Sequence, residues 1–178
     1  MKELVSIITP CYNSEYFISQ TINSVISQTY ENWEMIIVDD NSTDLSKNII
    51  SKFADIDNRL RPIFLDSNQG PALARNIALE KAEGRYVAFL DSDDLWESEK
   101  LEKQIKFMKD TNVAFSFTSY TRITEFNNKE LTTIIAPKEV CYKSYLSNTI
   151  IGCLTVLIDR KKTGYFKMKN LRSSHDMA

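Results

Sequence analysis

A chain of 178 residues, 43% of them hydrophobic and 26% charged, is enough for one globular domain with a sizeable core. The net charge of −2 and the lack of any Lys/Arg block exclude a nucleic-acid-binding surface, and three scattered cysteines (Cys11, Cys141, Cys153) form neither a zinc pattern nor a disulfide framework and suit a reducing cytoplasm. Met1-Lys2-Glu3 runs straight into a strand with no signal-peptide core, and the longest apolar stretch, 150–158, is too short to span a bilayer.

Residues 4–9 read as a first strand, mostly apolar and so covered on both faces. It stops at Pro10-Cys11-Tyr12-Asn13. Phe17, Ile18, Ile22, Val25 and Ile26 then recur at helical spacing over 15–28, with Ser14 as the N-cap. Residues 33–38 are a second strand ending in Asp39-Asp40-Asn41-Ser42, and 45–53 a second helix capped by Ser42 or Thr43. A third strand, 61–65, ends in Asp66-Ser67-Asn68-Gln69-Gly70. Pro71 suits the first position of a third helix, which Gly84 ends. The fourth strand, from Tyr86, is a short aromatic and β-branched run that stops at Asp91-Ser92-Asp93-Asp94. Beyond it the pattern loosens: a helix over 96–109, a strand over 113–123, a turn over 125–130, a short strand over 131–135, a helix over 138–146 and a strand over 150–158. The tail from 164 has no period, and the chain reads as cut inside an element.

This alternation predicts an α/β fold, a mostly parallel central sheet with helices on both faces. All four polar clusters then fall at the C-terminal ends of strands, the edge where open α/β sheets bind ligands. If the backbone stays extended past the fourth strand, Asp91 and Asp93 share one side and Asp94 takes the other. Crowded carboxylates repel unless a cation joins them, and a hard, oxygen-liganded Mg²⁺ or Mn²⁺ holding a substrate diphosphate fits. The competing reading is a solvated acidic loop capping the next helix. Asp40 either accepts a base N–H or caps a helix with Asn41 and Ser42. Tyr12 either presents its ring to a base or is an ordinary half-buried aromatic. Arg75 either meets a base carbonyl or phosphate near a helix N-terminus, or forms a salt bridge with Glu80 or a nearby Asp. There is no G-x-G-x-x-G after the first strand and no Gly-rich, Lys-bearing phosphate loop, which argues against dinucleotide-binding and P-loop enzymes. A receiver-like domain would need an acidic pair where Pro10-Cys11-Tyr12-Asn13 stands.

Four motifs occur in order: 5–13 ending in Thr9-Pro10-Cys11-Tyr12-Asn13, 37–44 with Val38-Asp39-Asp40-Asn41-Ser42, 68–76 with Gly70-Pro71-Ala72-Leu73-Ala74-Arg75-Asn76, and 84–94 with Leu90-Asp91-Ser92-Asp93-Asp94. Together they closely resemble the family 2 glycosyltransferases, inverting enzymes of the GT-A fold. The match covers the first two-thirds of the chain; the last third matches loosely. The resemblance implies that Pro10, Tyr12 and Asn13 frame the base, that Asp40 reads it with Arg75 as basic partner, and that Asp91-Ser92-Asp93 is the family's D-x-D. In that motif the first Asp faces the ribose or sugar and Asp93 binds the Mn²⁺ or Mg²⁺. The family's catalytic base is the Asp of a Glu-Asp pair, matched here by Asp176, with His175 in place of the Glu. It further implies a single domain, residues 1–110 holding the nucleotide-diphosphate sugar and 111–178 beginning the acceptor side. The expected activity is inverting transfer from a UDP-sugar to a glycan or lipid-linked acceptor hydroxyl in bacterial surface polysaccharide synthesis. The place is the cytoplasm or the inner face of the membrane, with peripheral attachment residing in sequence beyond this chain. The alternative is a nucleotide-sugar-binding module without catalysis of its own.

Overall fold

The structure, a computed structural model, describes residues 3–124, 129–140 and 151–169. In chain order it runs β1 (Val5–Cys11), α1 (Ile18–Ile26), β2 (Trp33–Asp39), α2 (Ser46–Ala54), β3 (Leu60–Phe64), α3 (Pro71–Lys81), β4 (Tyr86–Phe89), α4 (Lys100–Thr111), β5 (Phe115–Ser116), β6 (Tyr120–Ile123), β7 (Glu130–Ile134), a 3₁₀ turn at Cys153–Thr155, β8 (Leu157–Asp159) and α5 (Arg160–Thr163). The main sheet has the order β3-β2-β1-β4-β8-β5. Its first four strands are parallel; β8 runs antiparallel to both β4 and β5.

Strand alternation sorts the core into two layers. Val5, Ile7, Met35, Ile37, Tyr86 and Ala88 face one side, where α1 adds Ile18, Ile22 and Val25 and α4 adds Leu101, Ile105 and Met108. Ile8, Ile36, Val38, Val87 and Phe89 face the other, against Ala74, Ala78 and Leu79 of α3. Each large side chain so buried contributes about 1.5–3 kcal/mol. That is why β1 and β2, buried at every position, read as mostly apolar runs rather than as alternating ones, Ser6, Thr9 and Glu34 being buried with them.

The second half differs from the sequence reading. The expected strand over 113–123 is two elements: β5 at the edge of the main sheet, and β6, which pairs only with β7 in a separate two-stranded sheet. Of the described part of the expected strand over 150–158, only Leu157 and Ile158 join a strand, β8, because Thr155 folds back on Gly152 through both its N–H (3.0 Å) and its hydroxyl (2.7 Å). Short apolar runs do not distinguish such turns from strands. The helix expected from Trp96 starts at Lys100; Trp96 is buried in the preceding loop, its indole N–H on the Leu154 carbonyl (2.9 Å). Gly84 does not end α3, which stops at Lys81; it lies where the chain passes against Leu4 and Ser6. Most of the helix expected over 138–146 lies outside the described residues.

Candidate functional site

β1 is central, yet it contains Pro10. The carbonyl of Cys11 bonds toward β2 and that of Ile8 toward β4, so alternate residues serve alternate neighbours. Pro10 falls on the β4 side, and the β1–β4 ladder ends at Ile8 and Phe89. Its missing N–H therefore sits where pairing stops. β2 stays in register with β1 as far as Cys11 and Asp39, while the chain after β4 is released to form the acidic tip.

The ends of the four parallel strands are fastened to one another. Asn13 N–H donates to Ser42 Oγ (2.9 Å), and Asn13 Oδ1 accepts from Thr43 N–H (2.9 Å). Ser14 N–H donates to Ser46 Oγ (2.8 Å) and Glu15 N–H to Asp44 (3.0 Å). Asn13 and Asn41 both take left-handed φ, 49° and 61°, a conformation that Asn tolerates. Those bonds join the β1 and β2 ends. The β2 end is tied to the β3 end by Asp40, whose two carboxylate oxygens accept the N–H groups of Gln69 and Gly70, each at 2.8 Å. The β1 end is tied to the β4 end by the Ser14–Ser92 hydroxyl pair (2.7 Å), and Thr21 Oγ1 holds the Ser92 carbonyl (2.9 Å). Finally Arg75, in the second turn of α3, pairs with Asp91.

The acidic tip turns rather than staying extended, with Asp94 N–H on the Asp91 carbonyl (3.1 Å). It does not cap the next helix: α4 begins at Lys100, and the N–H of Leu101 in its first turn is held by Gln28 Oε1 (3.1 Å) rather than by an acid of the tip. Asp91 is half-buried and neutralised by Arg75; Asp93 is exposed. Burial pushes the Asp94 carboxyl up to about 6, and the negative Asp93 and Asp91 add to it. Burial likewise pushes the Cys153 thiol up to about 11, with Asp91 and Asp94 contributing and Arg75 opposing. This crowding of negative charge is what a divalent cation relieves. Among the described residues no three His, Cys, Asp or Glu side chains form a cage for one. A hard ion that takes one or two protein carboxylates and fills its shell with water and phosphate oxygens is compatible with this donor set, in which Asp93 is the exposed carboxylate.

Of the residues expected at the site, Tyr12 stands 50% exposed on the rim, Asn13 is the hinge of the β1–β2 fastening, and Pro10 is buried in β1. Ser92 is a tether, not an exposed ligand. Asp40 is 3% exposed with both oxygens engaged, so its anchoring role is visible alongside whatever it offers a base. Arg75 forms an ion pair with a nearby Asp, Asp91, and not with Glu80, which pairs with Lys167. Asp176 and His175 lie outside the described residues. Three contributors were not expected. Asp39 holds Ser42 N–H (3.1 Å) and carries a buried Oδ1 with no partner; the reading of Asp40 had passed over it. Ser14 is a tether rather than a helix cap, since α1 starts at Ile18. Third, a cleft of about 290 Å³ lies between Asp93–Asp94, Gln20 and the β6 residues Tyr120 and Arg122. Nothing in the sequence pointed to it, because β6 carries no motif.

Comparison with known proteins fits this geometry. Residues 6–168 match the family model described as glycosyl transferase family 2. A Bacillus subtilis glycosyltransferase, TuaG, assigned to teichuronic acid biosynthesis, is 50% identical over 177 residues, which is 99% of this chain and 70% of that protein. The Escherichia coli UDP-Glc:alpha-D-GlcNAc-diphosphoundecaprenol beta-1,3-glucosyltransferase WfgD is 45% identical over 157 residues, covering 88% of this chain and 60% of that one. The crystal structure of S. aureus TarS 1-349 in complex with UDP superposes with a TM-score of 0.75 at 28% identity, over 97% of this chain and 52% of that chain.

Proposed function

The chain belongs to glycosyl transferase family 2, and on that premise we propose that it transfers a sugar from a UDP-sugar to a hydroxyl of a lipid-linked or glycan acceptor, with inversion, in bacterial surface polysaccharide synthesis. The observation that carries this reading is the fastened rim: four strand ends joined by hydrogen bonds, with Arg75 paired to Asp91 and Asp93 left open. A preorganised polar edge of that kind costs little reorganisation when a nucleotide diphosphate binds.

Residues 1–110 hold the donor, and the following residues begin the acceptor side. Tyr12 flanks the base from the rim. Asp40, anchored by Gln69 and Gly70, keeps a second lone pair on each oxygen for a base N–H. Asp91, steered by Arg75, faces the ribose. A bound Mn²⁺ or Mg²⁺ supplies neutralisation of the leaving diphosphate, and Asp93 is the residue that would hold it. The acceptor oxygen bonds to the anomeric carbon as the bond to the diphosphate breaks on the opposite face. Its proton passes to Asp176, and the single displacement inverts the centre. No helix among the described residues is long and apolar enough to cross a membrane. The proposed site of reaction is the cytoplasm or the inner membrane face, where a lipid-linked acceptor is reached.

The test is calorimetric titration with UDP, with and without Mn²⁺. Asp93→Ala removes the metal-dependent part of UDP binding; an unchanged titration rejects Asp93 as the metal ligand. In the full-length protein Asp176→Asn keeps UDP affinity and stops transfer, and retained turnover would take the base role from Asp176. The second reading, a donor-binding unit without transfer of its own, predicts UDP binding with neither transfer nor donor hydrolysis. This chain spans 60% of WfgD and about half of the TarS chain.

A further inference from the structure

The cleft beside the acidic tip has one wall that the donor-binding motifs do not supply. That wall is β6 with the following Thr124, from which Tyr120 and Arg122 line the cleft together with Asp93, Asp94 and Gln20. β6 belongs to a sheet of two strands outside the main sheet, held by the Thr121–Thr133 hydroxyl pair (3.0 Å) and by Ala136 N–H on Ser119 Oγ (2.9 Å).

Arg122 differs from Arg75, the arginine at the strand tips, which is engaged by Asp91. The Arg122 side chain is exposed and makes no hydrogen bond or ion pair among the described residues, although it lines the same cleft as two carboxylates. The register of β6 against β7 shifts between Arg122 and Ile123. The extra residue is Leu131 of β7, and bulges of this kind are over-represented beside active sites. An exposed arginine on a strand edge ordinarily serves only to blunt that edge; this one lies opposite a bulge and lines a cleft. A free guanidinium there is a two-pronged donor matched to phosphate oxygens. The cleft, at about 290 Å³, lies near the lower end of small-molecule clefts and has room for about one sugar ring with an attached anion.

The donor's own diphosphate belongs with Asp93, on the opposite wall. We propose that this cleft receives the accepting sugar, and that Arg122 grips the diphosphate through which that sugar is attached to its lipid. The proposal rests on the transferase reading above and deepens it. It makes Arg122 a specificity residue for a charged acceptor, and it gives the β6–β7 sheet the task of selecting sugars attached through a diphosphate.

The experiment saturates the full-length protein with UDP and Mn²⁺, so that the donor site is filled, and titrates it with undecyl diphosphate. The wild type binds the probe. Arg122→Ala weakens it by about tenfold or more, as expected for loss of a charge-assisted pair; Arg122→Lys, which keeps the charge without the fork, recovers part of the loss. UDP affinity is the same in all three. Failure of the wild type to bind undecyl diphosphate, or equal affinity in wild type and Arg122→Ala, overturns the proposal. A parallel fall in UDP affinity also overturns it, by moving Arg122 to the donor. Arg122-dependent binding of undecyl glucuronide in place of undecyl diphosphate overturns the diphosphate assignment. If UDP itself does not bind the wild type, the transferase reading has failed instead, and the first titration reveals it.

Discussion

Gly84→Ala is a small change with a large expected cost. A Cβ at Gly84 would lie 2.6 Å from Ser6 N, 2.7 Å from Ser6 Oγ and 2.8 Å from the Leu4 carbonyl oxygen. Two of those three atoms are backbone of the chain leading into and along β1, the central strand. They cannot rotate away, so the approach to β4 must move off β1 by several tenths of an ångström. The movement falls on a buried chain of hydrogen bonds: Gly84 N–H to Ser6 Oγ (2.8 Å), Ser6 Oγ to Glu34 (2.6 Å), and Glu83 N–H to Glu34 (2.7 Å). Overpacking a core costs about 1–3 kcal/mol, and weakening a buried hydrogen bond adds about 1 kcal/mol or more. The variant should lose about 2–4 kcal/mol in urea unfolding, a large share of the roughly 5–15 kcal/mol of an ordinary domain. Ser6→Ala in the same background should not rescue it, because deleting the hydroxyl leaves both backbone contacts in place. A loss under about 0.5 kcal/mol, or full rescue by Ser6→Ala, would refute this reasoning.

Lys100 has its ammonium 3.8 Å from the centre of the Trp96 ring, shut off from solvent and without a hydrogen-bond partner. Burial pushes its pKa down to about 7. Above that pH the folded amine is neutral while the unfolded chain keeps its proton to about 10.4, so wild-type stability gains from this residue as pH rises from 7 toward 10. Lys100→Met should lack that gain. It should be about 2–3 kcal/mol more stable at pH 7, after the Trp96 ring returns roughly 1–2 kcal/mol to the charged lysine; urea melts at pH 7 and 9.5 measure both, and a variant equal to wild type at each pH rejects the reasoning. Asn76 exchanges two hydrogen bonds with the Met168 backbone, at 2.9 and 2.7 Å. Asn76→Ala should cost about 2 kcal/mol and speed hydrogen exchange at the Met168 amide, while unchanged exchange there would mean that the clamp does not hold the segment.

The first ninety residues were legible because β1, β2 and β4 are buried on both faces and each of the four strands ends in a polar cluster, so the periodicity and its punctuation agree. Pro71 marked the start of α3, and the four tips fell on one edge as the alternation required. Gly84 was misread because a glycine that ends a helix and one that admits a neighbouring backbone look alike; only the contact with Leu4 and Ser6 separates them. Beyond α4 the elements are two to five residues long, too short for any period to register. β8 also inserts antiparallel between β4 and β5 from more than forty residues downstream of β5, a pairing that local pattern cannot announce.

The acids at the strand tips carry the deeper lesson. Asp39, Asp40, Asp44, Asp91 and Asp93 look equivalent in sequence, yet they do different work. Asp39, Asp40 and Asp44 spend oxygens on backbone N–H groups of neighbouring loops, and Asp91 on Arg75. Of the five, Asp93 is the exposed one to which no internal hydrogen bond or ion pair is committed. Loops that lack regular structure must satisfy their backbone groups somehow, and here carboxylates do so. The same bonds fix the rim before any ligand arrives. A substitution such as Asp40→Asn would therefore act on two levels at once, since its amide would turn an N–H toward the Gln69 or Gly70 N–H. Loss of UDP affinity in that variant would not by itself identify Asp40 as the base reader. The discriminating measurement is the ratio of uridine to cytidine diphosphate affinity: collapse of the rim lowers both together, whereas loss of a contact to the base N–H changes the ratio.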